Sequence, residues 1–262
     1  MSSVPKRRWY QFSLRTLLVL ITLICLGPGG IVAYEQQKAC RQRAAVACIE
    51  KIGGRVAYDH DAVKRSALMR AVLGDDRCAH VSSISLRPPE SRQGFPALKK
   101  FPGLTDLYVN DASNADLVHL KHLANLRWLD LRETEVTSEG LLHLAGLTEL
   151  EGLQLYGTGV DDAGVVQLAS LQKLTLLDLR KTRVTDACLA GLSRLESLER
   201  LYLYRTKVTD TGIEQLATSR RLNYLDLTDT EVTDAGVAKL QLALPMLQID
   251  RTRRWEYSSG KP

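Results

Sequence analysis

Leu126-Arg127-Trp128-Leu129-Asp130-Leu131-Arg132-Glu133-Thr134-Glu135-Val136-Thr137-Ser138-Glu139-Gly140-Leu141-Leu142-His143-Leu144 is one copy of a pattern that the chain writes five times. The copies begin at Leu126, Leu150, Leu174, Leu198 and Leu222, a period of 24 residues, and the last runs to 25. Each reads L-x-x-L-x-L-x-x-T-x-V-x-x-x-G-(L/V/I)-x-x-L, with Cys188 in the glycine's place in the third. Self-similarity at such a period is the mark of a solenoid, in which one unit cannot bury its own apolar edge and must stack on its neighbours.

Within a copy, L-x-x-L-x-L gives the inward alternation of a short strand. The threonine at position nine (Thr134, Thr158, Thr182, Thr206, Thr230) falls where the chain must turn, and its hydroxyl can serve backbone groups from inside the stack. Val136, Val160, Val184, Val208 and Val232 close the core below it. Thr137, Asp161, Thr185, Thr209 and Thr233 follow where a helix N-cap is wanted, and the small residue after them allows close approach of a short helix to its neighbour. Val81–Leu86 and Leu104–Val109 are degenerate first copies, and Leu247–Ile249 reads as a last half-strand.

The 262 residues are 45% hydrophobic and 25% charged, an ordinary globular balance, with a net charge of +5. That charge is unevenly placed. Residues 1–103 carry 17 Lys/Arg against 7 Asp/Glu, whereas residues 104–249 carry 14 against 21. The repeats are acidic, which argues against nucleic acid as their partner. Of the five cysteines, none has metal-ligand spacing; Cys188 reads as a small buried packing residue. Cys40, Cys48 and Cys78 either supply one disulfide or remain free thiols.

Residues 1–15 form a basic, aromatic N-terminal segment. Residues 16–34 carry no charge and reach roughly 28 Å as a helix, the span of a hydrocarbon core. Trp9, Tyr10 and Tyr34 flank the run as interfacial rings would. A single-pass anchor is therefore expected here, with a cleaved signal sequence as the alternative because Gly27-Pro28-Gly29-Gly30 interrupts the run. Lys6, Arg7, Arg8 and Arg15 before the run are nearly balanced by Lys38, Arg41, Arg43 and Lys51 after it. The short basic N-terminus favours a cytoplasmic N-terminus and so an extracytoplasmic repeat domain, with a cytoplasmic-facing one as the alternative. Residues 35–80 read as a stalk helix and N-terminal cap, with helices over 35–52 and 62–73 and a strand at 55–58. Residues 81–249 are the repeat domain and 250–262 a polar tail.

The repeated motif resembles the leucine-rich-repeat family, in particular its V-T-D-x-G type and the ribonuclease-inhibitor-like class, over residues 81–249. The N-terminal Phe12-Ser13-Leu14-Arg15-Thr16-Leu17-Leu18 pattern also resembles bacterial membrane-anchored members. The resemblance implies an α/β solenoid behind a transmembrane helix, with parallel strands on the concave face and short helices on the convex face. It also implies partner binding rather than catalysis.

The sequence carries no phosphate loop, G-x-S-x-G, H-E-x-x-H or nucleotide fingerprint, so no catalytic residue, cofactor or metal is expected. His119, His122 and His143 align on one helix face without supporting ligands and read as solvated. The informative letters are the outward strand positions, which align as three columns. The first is Asp106, Trp128, Gly152, Leu176, Arg200, Tyr224. The second is Tyr108, Asp130, Gln154, Asp178, Tyr202, Asp226. The third is Asn110, Arg132, Tyr156, Arg180, Tyr204, Thr228. Tyrosine, tryptophan and arginine dominate binding hot spots, because they bury large area and keep a polar handle. Tyr108, Trp128, Asp130, Arg132, Tyr156, Asp178, Arg180, Arg200, Tyr202, Tyr204 and Tyr224 are thus the expected contacts for a protein or peptide. Internal pairing of Asp130 and Asp178 with Arg132 and Arg180 is the competing explanation of that alternation. At positions eight and ten the rim runs from acidic (Glu133, Glu135) through Gly157 and Gly159 to basic (Lys181, Arg183, Arg205, Lys207), then acidic again (Asp229, Glu231). A ubiquitin-ligase-type substrate adaptor and a structural or glycan-binding envelope protein are the alternative functions.

Overall fold

The computed structural model describes residue 37 and residues 40–58, 81–87 and 91–252. The expected span at 16–34, the helix at 62–73 and most of the tail lie outside these residues. Among the described residues no helix is long and apolar enough to cross a membrane.

Nine strands form one sheet in sequence order: β1 (Arg55–Tyr58), β2 (Val81–Leu86), β3 (Asp106–Val109), β4 (Trp128–Asp130), β5 (Gly152–Gln154), β6 (Leu176–Asp178), β7 (Arg200–Tyr202), β8 (Tyr224–Asp226) and β9 (Gln248–Asp250). β1 pairs antiparallel with β2, and every later pair is parallel. Ahead of β1 a helix over 40–51 turns Ala45, Val46 and Ile49 into the core. It ends at Gly53, whose φ of +77° is left-handed. Cys40 and Cys48 are free and exposed on it.

The strand leucines at positions one, four and six stack through all five copies with 4% exposure or less. The valines of position eleven lie beneath them, equally sealed. Behind the valines each of the first four copies makes a short helical pair, such as Asp162–Val166 followed by a 3-10 turn over Gln167–Ser170, and the fifth makes a single helix over Asp234–Ala243. Strands therefore line one face and helices the other, with one continuous apolar core between them.

Three polar ladders hold this core in register. The position-nine threonines donate their hydroxyls to the carbonyl three residues back, at 2.6–2.7 Å in every copy. Position eight is left-handed throughout: Glu133, Gly157, Lys181, Arg205 and Asp229 have φ between 51° and 69°. A non-glycine residue there costs about 1–2 kcal/mol. The turn aims the amide of four of them at a carbonyl of the next copy, as in Glu133 to Tyr156 at 2.7 Å and Lys181 to Tyr204 at 2.8 Å.

The third ladder runs between helix starts. Asp162, Asp186 and Asp210 each reach forward one copy and accept both the N–H and the hydroxyl of the next N-cap threonine, at 2.6–2.8 Å. Asn114 accepts the Thr137 N–H and donates its side-chain amide to the Thr137 hydroxyl, and Ser138 accepts the Asp161 N–H and donates its hydroxyl to the Asp161 carboxylate. The Thr233 hydroxyl and amide hold the Asp210 carboxyl below its usual range, and the Ser138 hydroxyl does so for Asp161. This ladder explains the repeat's glycine. A Cβ on Gly164 would lie 2.6 Å from Ser138 Oγ and 2.8 Å from its Cα. Cys188, which has a Cβ, begins its helix with a tighter 3-10 turn over Asp186–Cys188, whereas the other copies open with an α turn. Its thiol is sealed, and burial beside Asp162 pushes its pKa up.

In an open helix Gly164→Ala would add about 1 kcal/mol of stability. Here the new methyl meets backbone, so the variant is expected to lose about 1–3 kcal/mol. Urea unfolding of variant and wild type checks the sign.

Candidate functional site: the concave strand face

The parallel register joins the strands residue for residue, so that Asp106, Trp128, Gly152, Leu176, Arg200 and Tyr224 are consecutive partners along column one. Tyr108, Asp130, Gln154, Asp178, Tyr202 and Asp226 are partners along column two. The third column follows two residues beyond the ends of β4 to β8.

Column two contains the organising groups. The carboxylates of Asp130, Asp178 and Asp226 each accept the backbone N–H two residues on, at 3.0–3.1 Å, where the strand ends. In the first two copies that following residue is an arginine whose fork closes back on the same carboxylate. Arg132 Nη2 reaches Asp130 Oδ2 at 2.7 Å, and Arg180 Nη2 reaches Asp178 Oδ2 at 2.6 Å. The alternation of acids and arginines is thus pairing along a single strand. Asp130 and Asp178 are only 6% and 2% exposed, so these two expected contact residues act through the arginines they hold. Burial would lower the Arg180 pKa, but the Asp178 hydrogen bonds and charge outweigh it and raise it. Asp226 is followed by Thr228 instead, and burial raises its carboxyl pKa against the pull of the Thr228 amide.

The fixed guanidinium of Arg180 stands between two rings, 5.4 Å from the centre of Tyr156 and 5.3 Å from that of Tyr202. Tyr202 in turn meets Tyr224 at 5.3 Å, tilted by 45°. Burial, with Asp226 and Asp250 nearby, pushes the Tyr224 hydroxyl up to about 12. The structure therefore brings Tyr156, Arg180, Tyr202 and Tyr224 into one cluster across four strands. Each cation–ring contact adds about 0.5–2 kcal/mol of order.

Two residues assigned by sequence to the rim belong to this surface. Left-handed turns fold Lys181 over Tyr156, at 5.0 Å, and Arg205 over Tyr204, at 5.1 Å. Arg205 also bridges forward to Asp229 at 3.2 Å. The signal for this geometry was Gly157, the one copy in which a glycine occupies position eight.

Trp128 and Tyr108 stand apart from the cluster, toward the N-terminal end. The indole lies across the bare Cα of Gly152, in the space a Cβ would fill. Trp128 also borders a shallow hollow of about 180 Å³ with Thr105, Asp106, Arg127 and Glu151. In the hollow's wall Arg127 pairs with Glu151 at 2.5 Å. Arg200 is exposed, near Tyr224 in register but outside the ring cluster. Among the described residues no group of three histidine, cysteine or acidic side chains is placed to hold a metal ion.

A leucine-rich-repeat family model matches residues 218–240, and no curated protein matches the sequence. Among solved structures, the chain is similar to an internalin, InlF, of Listeria monocytogenes, with a TM-score of 0.52 at 20% identity over 70% of this chain and 49% of that one. The chain thus spans about half the length of that internalin. It also matches internalin C2 of the same organism, with a TM-score of 0.47 at 21% identity over 65% of this chain and 81% of the other. A plant peptide hormone receptor, RGFR1, solved in complex with RGF2, gives 0.41 at 17% identity over 64% and 26%. At these identities the likeness is one of fold. The protein is built as a leucine-rich-repeat solenoid.

Asp178→Ala leaves Arg180 without its carboxylate and is expected to cost about 2–3 kcal/mol. The same change at Asp130 should cost less, because the Arg132 side chain is already 41% exposed against 23% for Arg180. Parallel denaturation of the two variants checks this ranking.

Proposed function

We propose that this is a non-catalytic recognition protein of the ribonuclease-inhibitor-like kind, whose concave strand face binds another protein or a peptide. The observation that carries the proposal is the Tyr156–Arg180–Tyr202–Tyr224 cluster, whose central cation is locked by a buried carboxylate. Aromatic and guanidinium groups already held in one arrangement lose little conformational freedom when a partner covers them, which is what makes such residues binding anchors. Trp128, Tyr156, Arg180, Tyr202 and Tyr204 are the proposed anchors, with the remaining columns as surrounding contacts.

The test uses the full-length chain, solubilised in detergent, as bait. A Trp128/Tyr156/Tyr202→Ala triple variant is compared with wild type and with Leu142→Ser, a change on the exposed convex face. Proteins retained by wild type and by Leu142→Ser are expected to fall at least tenfold on the triple variant. Equal recovery on all three baits would sink the concave-face reading and leave a structural role.

Residues 16–34 are proposed to anchor the protein in a membrane as a single span, with the repeats on the extracytoplasmic side. The basis is the uncharged run and the basic segment before it. A reporter that is active only in the cytoplasm, fused after Pro262, should stay silent; activity would reverse the orientation.

A further inference from the structure

Column one differs from the other two in its charges. At one end Asp106 receives a hydrogen bond from Thr105 Oγ1 at 2.6 Å and has no ion pair among the described residues. At the other end Arg200 is exposed, and it too lacks a carboxylate partner among the described residues. Between them the floor is apolar: the Trp128 indole laid over Gly152, then Leu176 at 6% exposure. Neighbouring charges are paired internally, Glu151 with Arg127, which also feels the Asp106 charge across the hollow, and Asp178 with Arg180. One open anion, an uncharged track and one open cation therefore lie in line.

We infer that this track selects an extended peptide bearing one basic and one acidic side chain about six residues apart, separated by apolar residues; the inference rests on the concave face being the binding face. The register fixes the length. Asp106 and Arg200 are separated by four strand-to-strand steps, through Trp128, Gly152 and Leu176. At about 4.8 Å per step that is about 19 Å. An extended peptide laid across the strands advances about 3.4 Å per residue and covers this distance in about six. An even number also matters, because side chains of an extended chain alternate and only even separations put both charges on the face turned toward the sheet. The basic side chain would lie beside Asp106 with the Trp128 ring next to it, where carboxylate and indole both favour a cation. The acidic side chain would meet the Arg200 guanidinium, a planar fork suited to carboxylate.

The probes are three fluorescent nonapeptides read by anisotropy on the full-length chain: Gly-Lys-Ala-Leu-Ala-Leu-Ala-Glu-Gly, the same peptide with Lys in place of Glu, and an isomer with Lys and Glu adjacent. Wild type is expected to bind the first at least tenfold more tightly than either of the others. Arg200→Glu, an exposed substitution, should reverse the preference between the first two. Equal binding of all three, no binding of the first, or an Arg200→Glu variant with unchanged preference would overturn the inference. If the peptides fail while the triple variant still loses its partners, only the charge track is wrong. If the triple variant also keeps its partners, the concave-face reading falls with it.

Discussion

The amides of four left-handed residues at the strand exits, Glu133, Gly157, Lys181 and Arg205, each donate to a carbonyl of the following copy, and the rest of the solenoid is arranged so that this bond can form. The residue must turn with positive φ, which four charged side chains accept at a cost and Gly157 accepts freely. The next carbonyl must then be one strand spacing away, which requires the leucines to stack without offset. The threonine hydroxyl satisfies the carbonyl that the sharp turn leaves facing inward. A turn that is locally unfavourable is thus made stable by a neighbour that repeats it.

The strand face inherits its order from the same constraint. Strands of three residues present few side chains each, but identical register lines those side chains up across the sheet. Asp130 and Asp178 fasten the arginines that follow them, and Arg180 fastens two rings. The buried acids shape this face through what they hold in place. Charge that remains open on the face is correspondingly sparse, and its position carries information.

The sequence made the columns legible because a 24-residue period leaves no freedom in register, and it made the N-cap threonines legible because their chemistry is local. The left-handed turn was hidden by chemistry: Glu133, Lys181, Arg205 and Asp229 look like a solvated rim, and only Gly157 records the backbone they share. Asp162, Asp186 and Asp210 stand in the helix start of their own copy, yet they serve the next one, a contact 23 residues away. The seat of Trp128 on Gly152 needed two copies to be read together, one for the ring and one for the missing side chain.

The helix-start ladder has a direction, since each acid belongs to one copy and each capped threonine to the next. A chain leaving the ribosome N-terminus first therefore lays down Asp162, Asp186 and Asp210 before the threonines that donate to them emerge. Each new turn of the solenoid finds a finished template on which to close, with its partner only one period behind it. Contacts of such short sequence separation cost little loop entropy. The order of synthesis and the order of assembly run the same way along this protein.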